Sequence, residues 1–126
     1  MKLQTCLWFD GQAEQAAALY TSIFKRSQMG RVVPYGKAGA EASGQREGAV
    51  MTVEFELAGH RFLGLNGGAH FKINPSISFF VACENESEMD ALWSKLAKTV
   101  RMELKKYPFS QRYGWCEDRF GVNCGN

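Results

Sequence analysis

The chain has 126 residues, of which 45% are hydrophobic and 13% aromatic, and its formal net charge is +2. This composition supports one domain with an apolar core and excludes a largely disordered chain. No basic stripe is interleaved with aromatic residues, so a nucleic-acid partner is not expected, and the longest apolar run, near residues 77–83, is too short to span a bilayer.

The cysteines predict a reducing compartment. Cys6, Cys83, Cys116 and Cys124 are widely spaced, and no two of them form a CxxC pair. The first residues lack the long apolar core and cleavage site of a signal peptide. We therefore expect reduced thiols and a cytoplasmic location.

The first half of the chain predicts the order strand, helix, strand, strand, strand. Residues 3–9 are apolar and end at a turn, and Asp10 is placed to cap the helix that follows. Alanine and aromatic residues recur at three- and four-residue spacing across residues 12–25, which indicates a helix with one apolar stripe. Three further strands are predicted at residues 27–35, 49–57 and 61–66.

The connection at residues 36–48 is rich in glycine and alanine and shows no periodicity. Connections of this length are often either functional or disordered. The sequence is compatible with both a mobile lid and a disordered hairpin loop.

The pattern restarts in the second half. A strand is predicted at residues 76–82, and Ser87 with acidic neighbours marks a helix start. Shifting the first helix by 73 positions places Ala16 on Met89 and Tyr20 on Trp93. Further strands are predicted at residues 101–107, 112–117 and 122–126. The chain is therefore predicted to be one α+β domain, residues 1–126, built from two similar modules at about residues 1–68 and 74–126.

Each module is expected to cover one face of its sheet with its helix. The other faces would curl around a shared cavity with apolar walls and a few polar groups, which is typical of small-molecule pockets. The predicted ligand-binding residues on these faces are Gln4, Cys6, Trp8, Asn66, Ser76, Ser78, Phe80 and Trp115.

Four stretches resemble a known family. Residues 6–24 read CLWFDGQAEQAAALYTSIF, residues 50–68 read VMTVEFELAGHRFLGLNGG, residues 71–83 read FKINPSISFFVAC, and residues 114–122 read GWCEDRFGV. Together they resemble the PhnB-like branch of the vicinal oxygen chelate superfamily, which is often labelled demethylubiquinone methyltransferase-like. The resemblance implies paired βαβββ modules in the glyoxalase/bleomycin-resistance fold, usually as a homodimer.

The resemblance also raises the question of a metal. Metal-using members take four ligands from inward-facing strand positions, which here match Gln4, Asn66, Ser76 and Gly125. Serine and glycine do not replace imidazole or carboxylate donors, so no metal is expected. No glycine-rich turn follows the first strand with an acidic residue after the next strand, so no S-adenosylmethionine site and no other cofactor are expected either.

Two residues are candidates for acid–base chemistry. Glu54 becomes a general base if its strand face lines the cavity, and is an ordinary surface charge otherwise. His70 lies near the expected cavity mouth and titrates near neutral pH. Cys6 is compatible with a nucleophile or a small buried hydrophobe.

The last strand is short and polar where family members continue with a full strand. This departure predicts an open sheet edge, left exposed or filled by a partner chain.

Three functions remain compatible with the sequence. The first is a homodimeric protein that binds a small molecule without a catalytic metal. The second is a metal-dependent or acid–base enzyme, and the third is a drug-sequestering protein resembling bleomycin-resistance proteins. The fold alone does not choose among them.

Overall fold

The structure is a computed structural model that describes residues 1–125. The chain divides into two compact units, Met1–Lys72 and a second unit that begins at Ile73. The first unit contains, in chain order, β1 (Thr5–Phe9), α1 (Ala13–Ile23), β2 (Gln28–Pro34), α2 (Lys37–Ser43), β3 (Val50–Leu57) and β4 (His60–Asn66).

The strands of the first unit form one sheet in the order β1-β4-β3-β2. β1 runs parallel to β4, whereas β3 is antiparallel to both of its neighbours. Alternation along β3 places Val53, Phe55 and Leu57 on the buried face, as the sequence pattern predicts. Val53 is completely buried.

Helix α1 covers that buried face with small residues. Ala13, Ala16 and Ala17 are completely buried, and a Cβ atom placed on Gly64 of β4 would lie 3.1 Å from the Cβ atom of Ala13. The helix therefore approaches the sheet backbone closely because neither surface carries a large side chain at the contact.

The predicted cap of α1 was wrong. The N-cap residue is Gln12, which makes no side-chain cap hydrogen bond. Instead, the backbone N–H of Ala13 donates to Oδ1 of Asn66 at 2.9 Å. A residue at the end of β4 thus replaces the local cap, because β4 ends beside the start of α1.

The connection between β2 and β3 contains more regular structure than its composition predicts. Residues Lys37–Ser43 form α2, which ends at Gly44 in the left-handed conformation with φ of 75°. Glycine adopts this conformation without a Cβ penalty. Ala40 anchors the segment because it is buried.

The second unit repeats the arrangement of the first. Its elements are β5 (Ser78–Phe80), α3 (Glu86–Leu96), β6 (Thr99–Tyr107), β7 (Ser110–Glu117) and β8 (Asn123–Gly125). The sheet order is β5-β8-β7-β6, with β5 parallel to β8 and the other pairs antiparallel. This is the strand order and direction of the first sheet, element for element.

Helix α3 begins at Glu86, one residue before the predicted start at Ser87. Its N-cap is Asn85, whose Oδ1 accepts from the backbone N–H of Glu88 at 2.8 Å. On the sheet below, Gly114 lies beneath the ring of Trp93, because a Cβ atom there would come within 2.6 Å of that ring. Glycine at this position makes room for the large aromatic residue.

The predicted open edge at the last strand was also wrong. β8 lies between β5 and β7 and pairs with both, so it is an internal strand. The edges of this sheet are β5 and β6. Asn126, which the prediction included in the last strand, lies outside the described residues.

The α+β class predicted from the sequence is confirmed, since two mixed sheets each pack a helix on one face. None of the helices in residues 1–125 has the length and apolar composition that crossing a membrane requires.

Candidate functional site

The face of the first sheet opposite α1 is called here the open face. Cross-strand partners share a face of a sheet, so the register assigns its residues. Glu56 lies opposite Arg61, and Glu54 lies opposite Leu63. Leu63 in turn pairs with Cys6 on β1. These residues alternate along their strands with the buried core residues, and together they form the open face.

A groove of about 300 Å³ lies on the open face. Its lining is dominated by residues with charged or amide side chains: Gln4, Gln28, Glu54, Glu56 and Arg61. Four strands or their ends contribute these side chains, which are far apart in sequence. The groove is the candidate functional site of the first unit.

The charges in this groove are not paired with one another. Within residues 1–125, the side chains of Glu54 and Arg61 make no hydrogen bond or ion pair. Glu56 accepts one long hydrogen bond, at 3.4 Å, from Nε2 of Gln28. The two unpaired charges are thus available to an exogenous polar molecule.

The sequence identified only part of this site. It predicted Gln4 and named Glu54 as a conditional candidate, and the structure places both in the groove. It missed Gln28 and Arg61. The tight turn after Leu57, which pairs Leu57 with His60, sets Arg61 opposite Glu56, so the hairpin register could have revealed this residue.

Cys6 and Trp8 lie on β1 and alternate with the buried Leu7 and Phe9. Cys6 is exposed, but partial desolvation by neighbouring atoms raises the pKa of its thiol, which opposes a role as a nucleophile because the thiolate is the reactive form. The indole Nε1–H of Trp8 donates to the carbonyl oxygen of Gly68 at 2.8 Å. Its ring makes an edge contact with Phe71 at 4.9 Å between centroids.

Asn66 lies on the opposite face from the one predicted. It pairs with the buried Phe9 and is only 7% exposed. Its Oδ1 accepts from Ala13, and its Nδ2 donates to the carbonyl oxygen of Val50 at 3.1 Å. Both polar functions of its side chain are therefore used by the backbone of the first unit.

The remaining predicted ligand residues belong to the second unit. Ser78 and Phe80 on β5 alternate with Phe79, and Phe80 is 74% exposed. Phe80 stacks on Tyr113 with 6.0 Å between ring centroids. Ser76 is exposed and precedes the strand.

Trp115 lies on β7, and the guanidinium of Arg101 lies 5.8 Å from the centroid of its ring. Its indole Nε1 is buried and has no hydrogen-bond partner in the described part of the chain. Arg101 itself donates from Nε to Oδ1 of Asn123 at 2.6 Å. Arg101 is therefore anchored beside Trp115 by the fully buried Asn123.

The two histidines lie away from the groove. His60 contacts the hydroxyl of Thr5 at 2.9 Å and packs near Phe62. Phe62 belongs to the buried side of β4. His70 is exposed in the turn that follows β4. Neither histidine lines the groove on the open face.

The four positions matched to metal ligands do not form a metal-binding set. Both side-chain functions of Asn66 are occupied. Gly125 has no side chain, and the hydroxyl of Tyr113 lies 2.9 Å from where a Cβ atom would be. In residues 1–125, no three His, Cys, Asp or Glu side chains are arranged to hold a metal. The donors therefore do not fit a divalent transition metal.

Two cysteines of the second unit, Cys116 and Cys124, are expected to react slowly. Burial, with a contribution from Asp118, raises the pKa of Cys116 to about 11. Burial, with contributions from neighbouring thiols and Asp118, raises the pKa of Cys124 to about 12. At pH 8 the thiolate fraction of Cys116 is about one in a thousand. We expect iodoacetamide to modify the exposed Cys6 at least about tenfold faster, as measured by mass spectrometry of peptides.

The same thiols give a direction to the pH dependence of stability. Their folded pKa values exceed the ordinary value of 9.0, so the folded state retains protons that the unfolded state loses. The free energy of unfolding should be insensitive to these groups below pH 9 and should fall as pH rises towards 11. Equal alkylation of Cys116 in folded and urea-unfolded protein at pH 8 would contradict this description.

The whole chain is similar to known proteins. A family model described as 3-demethylubiquinone-9 3-methyltransferase matches residues 1–124. A PhnB protein from Bacillus cereus is 35% identical and has a TM-score of 0.87, covering 99% of this chain and 97% of that chain. No curated protein is significantly similar in sequence.

More distant structures share the fold. A lactoylglutathione lyase from Agrobacterium tumefaciens is 16% identical, with a TM-score of 0.57 and coverage of 99% of this chain and 90% of that chain. The fosfomycin resistance protein FosX from Listeria monocytogenes, solved with Mn(II), is 13% identical, with a TM-score of 0.57 and coverage of 99% and 86%. These similarities confirm the predicted glyoxalase/bleomycin-resistance fold.

Proposed function

Because this chain belongs to the 3-demethylubiquinone-9 3-methyltransferase family, the PhnB-like branch of the vicinal oxygen chelate superfamily, we propose that it binds a small molecule on the open face of its first sheet. Binding does not use a catalytic metal in this proposal. The methyl-transfer activity named by the family is not part of it, since the sequence has no pattern typical of a nucleotide-type cofactor site.

One observation carries the proposal. The groove on the open face has a volume of about 300 Å³ and is lined by the unpaired side chains of Glu54 and Arg61. The other face of the same sheet is buried in the core. Ligand sites usually combine a concavity with a few convergent polar groups. A volume of this size suits a molecule of roughly ten to twenty non-hydrogen atoms.

A screen of polar fragments by ligand-observed NMR tests the proposal. We expect hits whose binding is abolished by Gln4→Trp, because the indole would occupy the groove that Gln4 lines. The matched control is Gln15→Trp on the exposed side of α1, which should leave binding unchanged. Fragments that bind wild type and both variants equally would place binding elsewhere and refute the proposal.

We also propose that the other ligand-binding residues predicted from the sequence contact small molecules, and that the chain divides into modules at about residues 1–68 and 74–126. These residues are Cys6, Trp8, Ser76, Ser78, Phe80 and Trp115.

We also propose a cytoplasmic homodimer. Support for dimerisation comes from exposed aromatic residues of the second unit, since Phe80 is 74% and Phe109 66% exposed. Sedimentation equilibrium should give twice the chain mass, and a monomer at micromolar concentration would refute this part.

An acid–base enzyme is the second candidate function. It is favoured by the position of Glu54, whose carboxylate faces the groove without an intramolecular partner in the described residues. A general base must reach the proton that it removes. Bound fragments with an acidic C–H group should then exchange hydrogen for deuterium faster with wild type than with Glu54→Gln. Equal exchange rates would exclude this role for Glu54.

A further inference from the structure

We infer that the groove on the open face recognises a zwitterion of the amino acid type, which carries an ammonium group, a carboxylate and an apolar substituent. This inference rests on the proposed binding function and specifies its ligand class. It follows from the positions of two unpaired charges and from the gradient of polarity along the open face.

The first observation is the pair of opposite charges. Arg61 is exposed and Glu54 half-buried, and both line the same groove. Within residues 1–125, neither side chain makes an ion pair or a hydrogen bond. Arginine binds carboxylates through two parallel N–H donors, and a glutamate accepts from an ammonium group. The groove therefore offers one site for each charge of a zwitterion.

The second observation is the position of these two residues on the sheet. Glu56 is the direct cross-strand partner of Arg61, so Glu54, two residues before Glu56, is the diagonal neighbour of Arg61 on the same face. The backbone positions of diagonal neighbours are about 7–8 Å apart. The side chains of Arg61 and Glu54 therefore leave the sheet at separate points beside the groove that both line, so one molecule in the groove can contact both.

The third observation concerns the groups around the charges. Glu56 lies beside Arg61, and Nε2 of Gln28 is 3.4 Å from its carboxylate. A simple anion would meet the two carboxylates, whereas a simple cation would meet the guanidinium. A molecule that carries both charges places each beside its complement, which is the arrangement that electrostatics favours.

Polarity falls along the open face in one direction. The row formed by Gln4, Arg61, Glu56 and Gln28 is polar. Two residues further along β1, Cys6 lies beside Leu63 of β4, and two further, Trp8 lies beside Leu65. Each step of two residues advances about 7 Å. A ligand whose charged end lies at Arg61 and Glu54 therefore directs its apolar substituent towards Trp8.

Three matched probes test this inference by isothermal titration calorimetry with the full chain. L-Phenylalanine carries both charges, 3-phenylpropanoate lacks the ammonium, and 2-phenylethylamine lacks the carboxylate. We expect phenylalanine to bind at least about tenfold more tightly than either single-charge probe, because each loses one charge-assisted contact. Binding of phenylalanine should also quench tryptophan fluorescence through Trp8.

Two variants separate the charges. Arg61→Gln should weaken phenylalanine about tenfold and leave 2-phenylethylamine unchanged, whereas Glu54→Gln should weaken phenylalanine and leave 3-phenylpropanoate unchanged. The matched controls are Arg46→Gln and Glu47→Gln, which are exposed in the connection before β3 and do not line the groove. They should bind all three probes like wild type.

The outcomes distinguish this inference from the function on which it rests. Any of three results would overturn the proposal of a zwitterionic ligand. They are equal affinities for the three probes, no effect of Arg61→Gln and Glu54→Gln, and no binding of phenylalanine. If fragments sensitive to Gln4→Trp still bind, the proposed binding function survives that result. If no fragment binds the groove, both fall.

Discussion

Replacing Asn66 by alanine is expected to lower the free energy of unfolding by about 3 kcal/mol, because two buried backbone groups lose their partner. The N–H of Ala13 loses Oδ1 as acceptor, and the carbonyl of Val50 loses Nδ2 as donor. Ala13 is completely buried, so water does not replace the acceptor there. Urea denaturation followed by circular dichroism measures the change.

The control for this variant is a solvent-exposed helix N-cap. Asn85 caps α3 through the N–H of Glu88, but it is exposed. Asn85→Ala should cost only about 1 kcal/mol, the usual loss at an exposed N-cap. If the two asparagine variants lose equal stability, burial does not set the strength of the Asn66 cap.

Replacing Gly67 by alanine is expected to cost about 2–3 kcal/mol. A Cβ atom built on Gly67 collides with the indole of Trp8 and lies 2.5 Å from its Cε2. The ring must move, and its hydrogen bond to the carbonyl of Gly68 is then lost. Because the indole enters a different environment, the tryptophan emission spectrum should shift together with the midpoint of unfolding.

The same substitution at Gly39 gives the opposite sign. Gly39 lies within α2, and a Cβ atom there makes an ordinary contact of 3.6 Å with Tyr35. Alanine is favoured over glycine inside a helix by up to about 1 kcal/mol, so Gly39→Ala should stabilise the protein slightly. Unchanged stability and emission in Gly67→Ala would show that the indole does not pack on this glycine.

The variants at Asn66 and Gly67 test two neighbouring sets of contacts at the end of β4. Asn66 joins the end of β4 to the start of α1, and Gly67 lets Trp8 of β1 cross the chain immediately after it. The backbone N–H of Gly67 also donates to the carbonyl of Phe9 at 3.0 Å. The end of the parallel pair β1–β4 is therefore the point at which contacts fix α1, the core residue Phe9 and the open-face residue Trp8 relative to β4.

The side of the sheet on which a β1 residue lies was predictable, because alternation alone assigns it. Cys6 and Trp8 alternate with Leu7 and Phe9, and the structure keeps that alternation. Asn66 was assigned to the wrong face because the prediction did not follow the register of β4 to its last residue. Arg61 was missed because its neighbour Glu56 is supplied by another strand.

The sequence by itself determined the elements and their repetition, since hydrophobic periodicity is a local property. The alternation of Val53, Phe55 and Leu57 and the alanine stripe of α1 follow from spacing within a few residues. The tertiary structure alone decided the cap at Ala13 and the presence of Gln4 and Gln28 in one groove with Arg61. These residues are brought together by strands that are distant in sequence, whereas the pairing of Arg61 with β3 follows from the short hairpin turn after Leu57.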